Sequence, residues 1–391
     1  MTTATNAPMA CVLGDLDLVR PLGLAGVRCA VVAPPGAPVR HSRYTHAVIG
    51  AEAADTAPAA LLARLLDFAR GQPVPPVLFY QDDAQLLLVS RRRDALQPAF
   101  RMVIAGADLV EDLVDKARFQ ALAERLGLPV PPTRRLDPAA GPPPRLDLRY
   151  PVIVKPLTRT GPWDAVEGVG KAIPVRSADE LDALWPRLQA LGIPVLAQEM
   201  IPGPESAIES YHVYVDGRGG IAGDFTGAKI RTYPLDYGHS TALAITDAPD
   251  VRGLGRRLVE VLGLTGTAKF DFKRGPDGRL HLLEVNPRFT LWHHLGARAG
   301  VNLPALVWAD LTGRRRPAAG PARAGATWCH VTRDRLAARE SGVPLAAWLA
   351  WVAACDAKAA ALHDPLPFLQ SLGGRALARL SRRPAPVPVK G

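Results

Sequence analysis

The chain predicts an α/β protein whose first part is a parallel α/β unit and whose later part adds antiparallel strands. Three observations carry this. Apolar runs alternate with helix-like segments over residues 10 to 104, at the spacing of a parallel sheet. Two alternating runs, Ala207 to Val215 and Gly220 to Thr232, flank an Asp216-Gly217 turn, as antiparallel strands do. A third pairing, Gly266 to Arg288, reads as a hairpin. An extended run (Thr267 to Lys273) meets a Gly-Pro-Asp-Gly turn and a second run from Arg279 to Val285.

Taken in order, Ala10 to Gly14 is a short apolar strand, followed by an amphipathic segment, Leu16 to Ala25. A second apolar run, Arg28 to Ala33, stops at Pro34-Pro35-Gly36. Then come His46 to Gly50, a helix over Ala59 to Arg70, and a strand over Pro76 to Tyr80 leading into Gln81-Asp82-Asp83. The first turn, Gly14-Asp15-Leu16-Asp17, lacks the glycine pattern of a dinucleotide-binding fingerprint. Leu113 to Leu126 has helical spacing and is stopped at Gly127-Leu128-Pro129, with Asp115-Lys116 in its first turn.

Arg149 to Pro156 is an apolar, β-branched run that reads as a buried strand with Lys155 at its end. An ammonium is costly to bury unpaired, so Lys155 is expected to emerge beside an anionic partner. Residues 158–171 form a glycine-containing loop of the kind whose backbone N–H groups can fold around phosphates. Ser177 and Glu180 form a capping box for a helix reaching Leu191. Pro194 to Ile201 is a further strand. Lys229 and Arg231 lie two apart on the run Gly220 to Thr232 and so share one face. A helix over Pro249 to Leu262 leads into the hairpin, and Leu291 to Ala299 and Leu303 to Leu311 read as helices. Ala324 to Val331 reads as a strand completing a sheet, and Pro344 to Cys355 as an apolar helix too short to span a bilayer. Gly373 to Arg383 is basic and amphipathic, which allows weak peripheral membrane contact beside simple packing on the domain.

The hairpin carries the chemistry. Alternation puts Lys269 with Asp271 on one face and Glu284 with Asn286 on another. If the two faces coincide, two carboxylates and an amide converge, with Lys269 and Arg288 at the edges. That is an oxygen-donor set for a hard divalent cation that also holds substrate phosphates. The same residues also suit a solvated hairpin with polar residues outward, so the upstream segments have to decide.

Composition narrows the partners. The 391 residues are 48% hydrophobic and 21% charged, and no long apolar run is present, so a transmembrane helix is not expected. The N-terminus shows no secretory pattern, and four scattered cysteines without C-x-x-C spacing fit a reducing cytoplasm. A formal charge of +10 invites nucleic acid as a partner, but the arginine runs are short and lack aromatics. An anionic small molecule accounts for the charge equally well. Only eight of the 47 basic residues are lysines, so positions that remain lysine are read as needing a compact ammonium.

Together Asp115-Lys116, YPVIVKP (150–156), QEMIPGPE (198–205) and DFK…LLEVNPR (271–288), in this order and spacing, resemble the ATP-grasp superfamily over about residues 10–312. Leu78 to Leu96, FTGAKIRTYP (225–234) and HDPLPFL (363–369) look like its carboxylate–amine ligase branch, including D-aspartate-ligase-like proteins. The resemblance implies an α+β ATP-grasp architecture. Its parts are an N-terminal α/β domain (1–112), a central small domain with lid loop 158–171 (113–200), a C-terminal mixed-sheet domain (201–330) and a helical extension (331–391).

It further implies that Lys116 and Lys155 contact ATP phosphates, and that Gln198 and the backbone of Glu199 and Ile201 meet adenine. Glu205 takes the ribose hydroxyls, and Lys229, with Arg231 beside it, binds phosphate. Asp271, Glu284 and Asn286 match Mg²⁺ ligands, with Mn²⁺ an alternative. Lys269 faces the reacting acyl group, and Arg288 steadies the transferring phosphoryl group. Trp292, His293 and His294 are expected to point towards the second substrate. The implied activity is ligation of a small-molecule carboxylate to an amine at the expense of ATP, in a monomer or oligomer. A catalytically silent ATP-binding protein on the same fold and a charge-driven nucleic-acid binder are the alternatives.

Overall fold

A computed structural model describes residues 7–51, 54, 56–157, 163, 172–235, 238–318, 320–358 and 361–371. The expected lid loop, apart from Trp163, and the basic segment 373–383 lie outside the described residues.

The first sheet is parallel, with β1 (Ala10–Leu13), β2 (Cys29–Val32), β3 (Thr45–Ile49) and β4 (Val77–Tyr80) in the order β3-β2-β1-β4. Strands β1 and β4 are buried along their whole length, which is why both read as unbroken apolar runs. Asp15 caps the helix Leu16–Leu24, and Asp82 with Gln85 forms a capping box on Asp83–Arg91. All four cysteines are buried free thiols.

The single helix expected over Leu113 to Leu126 is two helices, Ala107–Val114 and Lys116–Leu126. Asp115 between them is extended, and its carboxylate accepts the N–H groups of Ala117 and Arg118. That cap interrupts the helical backbone and makes Lys116 the first residue of the second helix.

A small antiparallel sheet follows, with β5 (Thr133–Leu136), β6 (Val152–Pro156), β7 (Ile173–Val175) and β8 (Val195–Glu199) in the order β5-β8-β6-β7. The helix Ala178–Leu191 covers it with Leu181, Trp185 and Leu188, spaced four and three apart on one face. With Val152, Val154 and Trp163 these residues form a separate core.

The large sheet contains β9 (Ile208–Val215), β10 (Ile221–Tyr233), β11 (His239–Thr246), β12 (Gly266–Arg274), β13 (Leu280–Asn286), β14 (Thr327–Cys329) and β15 (Ala357–Lys358). Their order is β13-β12-β9-β10-β11-β14-β15, antiparallel throughout except for the parallel β14–β15 pair. The helix Pro249–Leu262 packs on one face over Tyr211, Phe270 and Phe272, in a core continuous with Leu78, Leu86 and Leu113 of the first unit. The other face carries Tyr214 and Phe225 against Trp292, Leu295, Leu303 and Leu306. Among the described residues no helix is long and apolar enough to cross a membrane.

Candidate active site

The hairpin register decides the convergence left open by alternation alone. Lys269 stands opposite Asn286 and Asp271 opposite Glu284, so the two carboxylates face one another across β12 and β13. An extra residue in β13, Leu283, breaks the ladder just beyond them and lines the adjacent cleft. On the other side of β12, β9 sets Ser210 opposite Asp271. The Ser210 hydroxyl donates to Asp271 Oδ1 at 2.5 Å. Asn286 Nδ2 donates to Glu284 Oε1 at 2.9 Å, and Arg288 Nη2 donates to Asn286 Oδ1 at 3.1 Å.

Lys269 pairs with Asp271 and lies 3.7 Å from Glu284 Oε1. Burial opposes ionisation of Asp271, but the ammonium groups of Lys269 and then Lys229 outweigh it and hold the carboxyl well below the usual range. Burial likewise opposes the charge on Lys269, and the carboxylates of Asp271 and Glu284 more than restore it. The Asp271–Lys269 pair is therefore ionised, and the lysine ammonium already lies between the two carboxylates. Among the described residues no three His, Cys, Asp or Glu side chains converge on a metal position. Two carboxylates and an amide carbonyl nevertheless fit Mg²⁺ or Mn²⁺, which completes its shell with phosphate oxygens and water.

A cleft of about 1020 Å³ opens between the small and large sheets. From the small-sheet side it is lined by Lys116, Lys155, Gln198, Glu199 and Ile201. From the large-sheet side come Lys229, Asp271, Glu284 and Asn286 of its strands, Glu205 just before β9 and Arg288 just after β13. Lys155 Nζ donates to Gln198 Oε1 at 2.9 Å, and Gln198 Nε2 donates to Thr133 Oγ1 at 2.9 Å, which orients the amide. Lys116 Nζ reaches the Pro156 carbonyl at 3.2 Å. Burial, then the neighbouring Lys116 ammonium, lowers the Lys155 pKa to about 8, with Glu284 opposing. Two ammonium groups so close favour an anion between them. Glu199 is turned back onto Arg149, accepting its backbone N–H at 2.9 Å and its guanidinium at 3.0 Å. Lys229 and Glu205 form a 3.6 Å pair on the large-sheet wall.

Two expectations are corrected. Arg231 does not line the cleft. Register shifts on both sides of it break the alternation that would have set it beside Lys229, and its guanidinium binds Asp334 through Nε and Nη2, each at 2.8 Å. Trp292, His293 and His294 do not face the cleft either; all three are buried. Trp292 packs against His212, at 4.8 Å between ring centroids, and against Gly227, where a Cβ would meet the indole at 2.3 Å. His293 meets Phe289 edge-on at 5.2 Å, and burial drives its pKa, like that of His294, down to about 3, so both rings are neutral. A segment rich in aromatic rings is core here, despite its polar nitrogens.

Other residues of the site escaped the sequence reading. Asp83 accepts from Arg288 Nε at 2.5 Å and the Gln81 carbonyl from Nη1 at 3.0 Å, tying Arg288 to the end of β4. Lys273 and Arg176 line the cleft, and Ser210 buttresses Asp271. The signal for Lys273 was present, because the alternation joining Lys269 to Asp271 continues to it.

Residues 194–333 match a family model described as ATP-grasp in the biosynthetic pathway with Ter operon. The chain is 30% identical over 176 residues to D-alanine–D-alanine ligase B of Pseudomonas syringae pv. tomato, covering 42% of this chain and 52% of that protein. It is 30% identical over 183 residues to D-alanine–D-alanine ligase of Stutzerimonas stutzeri, covering 44% and 54%. It thus spans about half the length of these two relatives. An ADP complex of N5-carboxyaminoimidazole ribonucleotide synthetase superposes with a TM-score of 0.60 at 17% identity, covering 84% of this chain and 82% of that one. L-amino acid ligase from Bacillus licheniformis gives a TM-score of 0.58 at 15% identity, covering 79% and 75%. At such identities the solved structures show the fold.

Proposed function

The chain carries the ATP-grasp fold, and on that premise we propose that it is an ATP-dependent, ADP-forming carboxylate–amine ligase. It activates a carboxylate as an acyl phosphate and joins it to an amine, releasing ADP and phosphate. The observation that carries this is one cleft holding the facing carboxylates of Asp271 and Glu284 on one wall and Lys116 with Lys155 on the other. The names of the relatives, ligases of D-alanine and of L-amino acids, favour amino acids among the reactants.

Both reactants of the first step are anions, so the site must cancel their repulsion before a carboxylate oxygen can reach the γ-phosphorus. Lys116 and Lys155 on one wall and Lys229 on the other supply fixed positive charge. Asp271, Glu284 and Asn286 would hold Mg²⁺ or Mn²⁺, which when bound neutralises phosphate charge as a Lewis acid. Gln198, Glu199, Ile201 and Glu205 hold the adenosine end along β8 and the segment after it. Arg288, fixed by Asp83, Gln81 and Asn286, stays oriented without reorganising and stabilises charge that develops on the transferring group. Lys269 faces the acyl group from between the two carboxylates. The amine then attacks the acyl carbon, and phosphate leaves.

The test is carboxylate-dependent ADP release. Glu284→Gln and Lys155→Ala should each abolish it, a loss of at least about a hundredfold, with circular dichroism unchanged. Turnover at the wild-type rate in either variant would overturn the site assignment.

A further inference from the structure

Asp334, in the helix Val331–Glu340, has no exposed surface and lies away from the cleft, yet it gathers donors from four elements. Arg231 of β10 binds it through two nitrogens at 2.8 Å, Thr241 of β11 donates its hydroxyl at 2.9 Å, and Trp348 donates its indole N–H at 2.9 Å. The Cys329 thiol of β14 lies 3.8 Å away. Trp351, one turn beyond Trp348 in the helix Leu345–Ala354, lies under the Arg231 guanidinium at 4.2 Å.

The strands being held are irregular. Lys229 pairs with Leu243, Arg231 with Ala242 and Thr232 with Ser240. One extra residue therefore sits in β10 at Ile230, and a compensating one in β11 at Thr241. Bulges redirect side chains and leave the ladder locally unsupported. Here one carboxylate binds a residue from each bulged strand, directly after Lys229 turns into the cleft.

We propose that Asp334, with Trp351 stacked on Arg231, is a positioning residue that aims Lys229 at the phosphates of the nucleotide. The two C-terminal helices act through the paired bulges and touch no substrate. This rests on the reading of the cleft as a nucleotide site.

The test uses the full chain with Mg²⁺ and compares a non-hydrolysable ATP analogue with adenosine in competition binding. In Asp334→Asn, and more mildly in Thr241→Val, the Kd for the analogue rises by about threefold to thirtyfold while that for adenosine stays within about twofold. A general loss of structure would weaken both ligands together, and Thr241→Val keeps the test valid if Asp334→Asn fails to fold. Unchanged analogue affinity in Thr241→Val, or an equal loss for both ligands, overturns the proposal. A wild-type chain that binds no ATP analogue defeats the nucleotide reading itself, and this inference with it.

Discussion

Lys155 shows how one residue's environment sets its chemistry. Burial and the Lys116 ammonium bring its pKa down to about 8, so it is charged at neutral pH and loses its proton as the pH rises past that value. A phosphate anion beside it favours the protonated form, and nucleotide binding above about pH 8 should therefore take up a proton. We expect nucleotide affinity to fall between pH 7 and 9.5 in the wild type and to fall less in Lys155→Arg, whose guanidinium stays charged. Equal slopes in titration calorimetry would contradict this. Legibility at this scale was good where a residue type is chemically demanding. A lysine ending a buried strand could be read from the chain alone, as could Asp271 alternating with Lys269 on one run and Glu284 with Asn286 on the next. Arg231 could not, since its role depends on a bulge that leaves no mark in the pattern. His293 and His294 misled because imidazoles suggest ligands, whereas their burial is decided by neighbours such as Phe289.

Among the elements, β9, β10, β12 and β13 were the most legible, because polar residues interrupt their apolar runs and glycine-containing turns join them in pairs, although the sheet is covered on both faces and β9 is buried at all but one position. The parallel unit was legible for the opposite reason: β1 and β4 are buried on both faces and read as continuous apolar runs. Strands β7 and β15, of three and two residues, are too short to carry a period. The break at Asp115 hides in helical spacing on both sides and is visible only through the cap. Gly227 of β10 tests the correction of the Trp292 segment. A Cβ there would meet the Trp292 ring at 2.3 Å and the Ala244 carbonyl at 2.9 Å. Gly227→Ala should cost about 1–3 kcal/mol in urea denaturation, as overpacking does. An unchanged midpoint would show that the indole does not rest on the strand.

At the level of the whole molecule, the cleft lies between two separately cored units, and the parallel unit reaches it through Asp83 and the Gln81 carbonyl, both bound by Arg288. The pairing of Asp83 with Arg288 was beyond sequence reasoning, because the two residues are 205 positions apart. Freeing Arg288 should harm the chemical step more than nucleotide binding. Asp83→Ala is thus expected to lower kcat by up to about a hundredfold with little change in KM for ATP; a rise in KM alone would place Asp83 in binding instead. The central claim, that the cleft activates a carboxylate with ATP, has a direct test. Purified protein, ATP and Mg²⁺ are offered single amino acids and small acids with hydroxylamine as the amine, and ADP and hydroxamate are measured together. At least one acid should yield the two products in equal amounts, and Glu284→Gln should yield neither. ATP binding with no acid-dependent ADP or hydroxamate across the array would contradict the account.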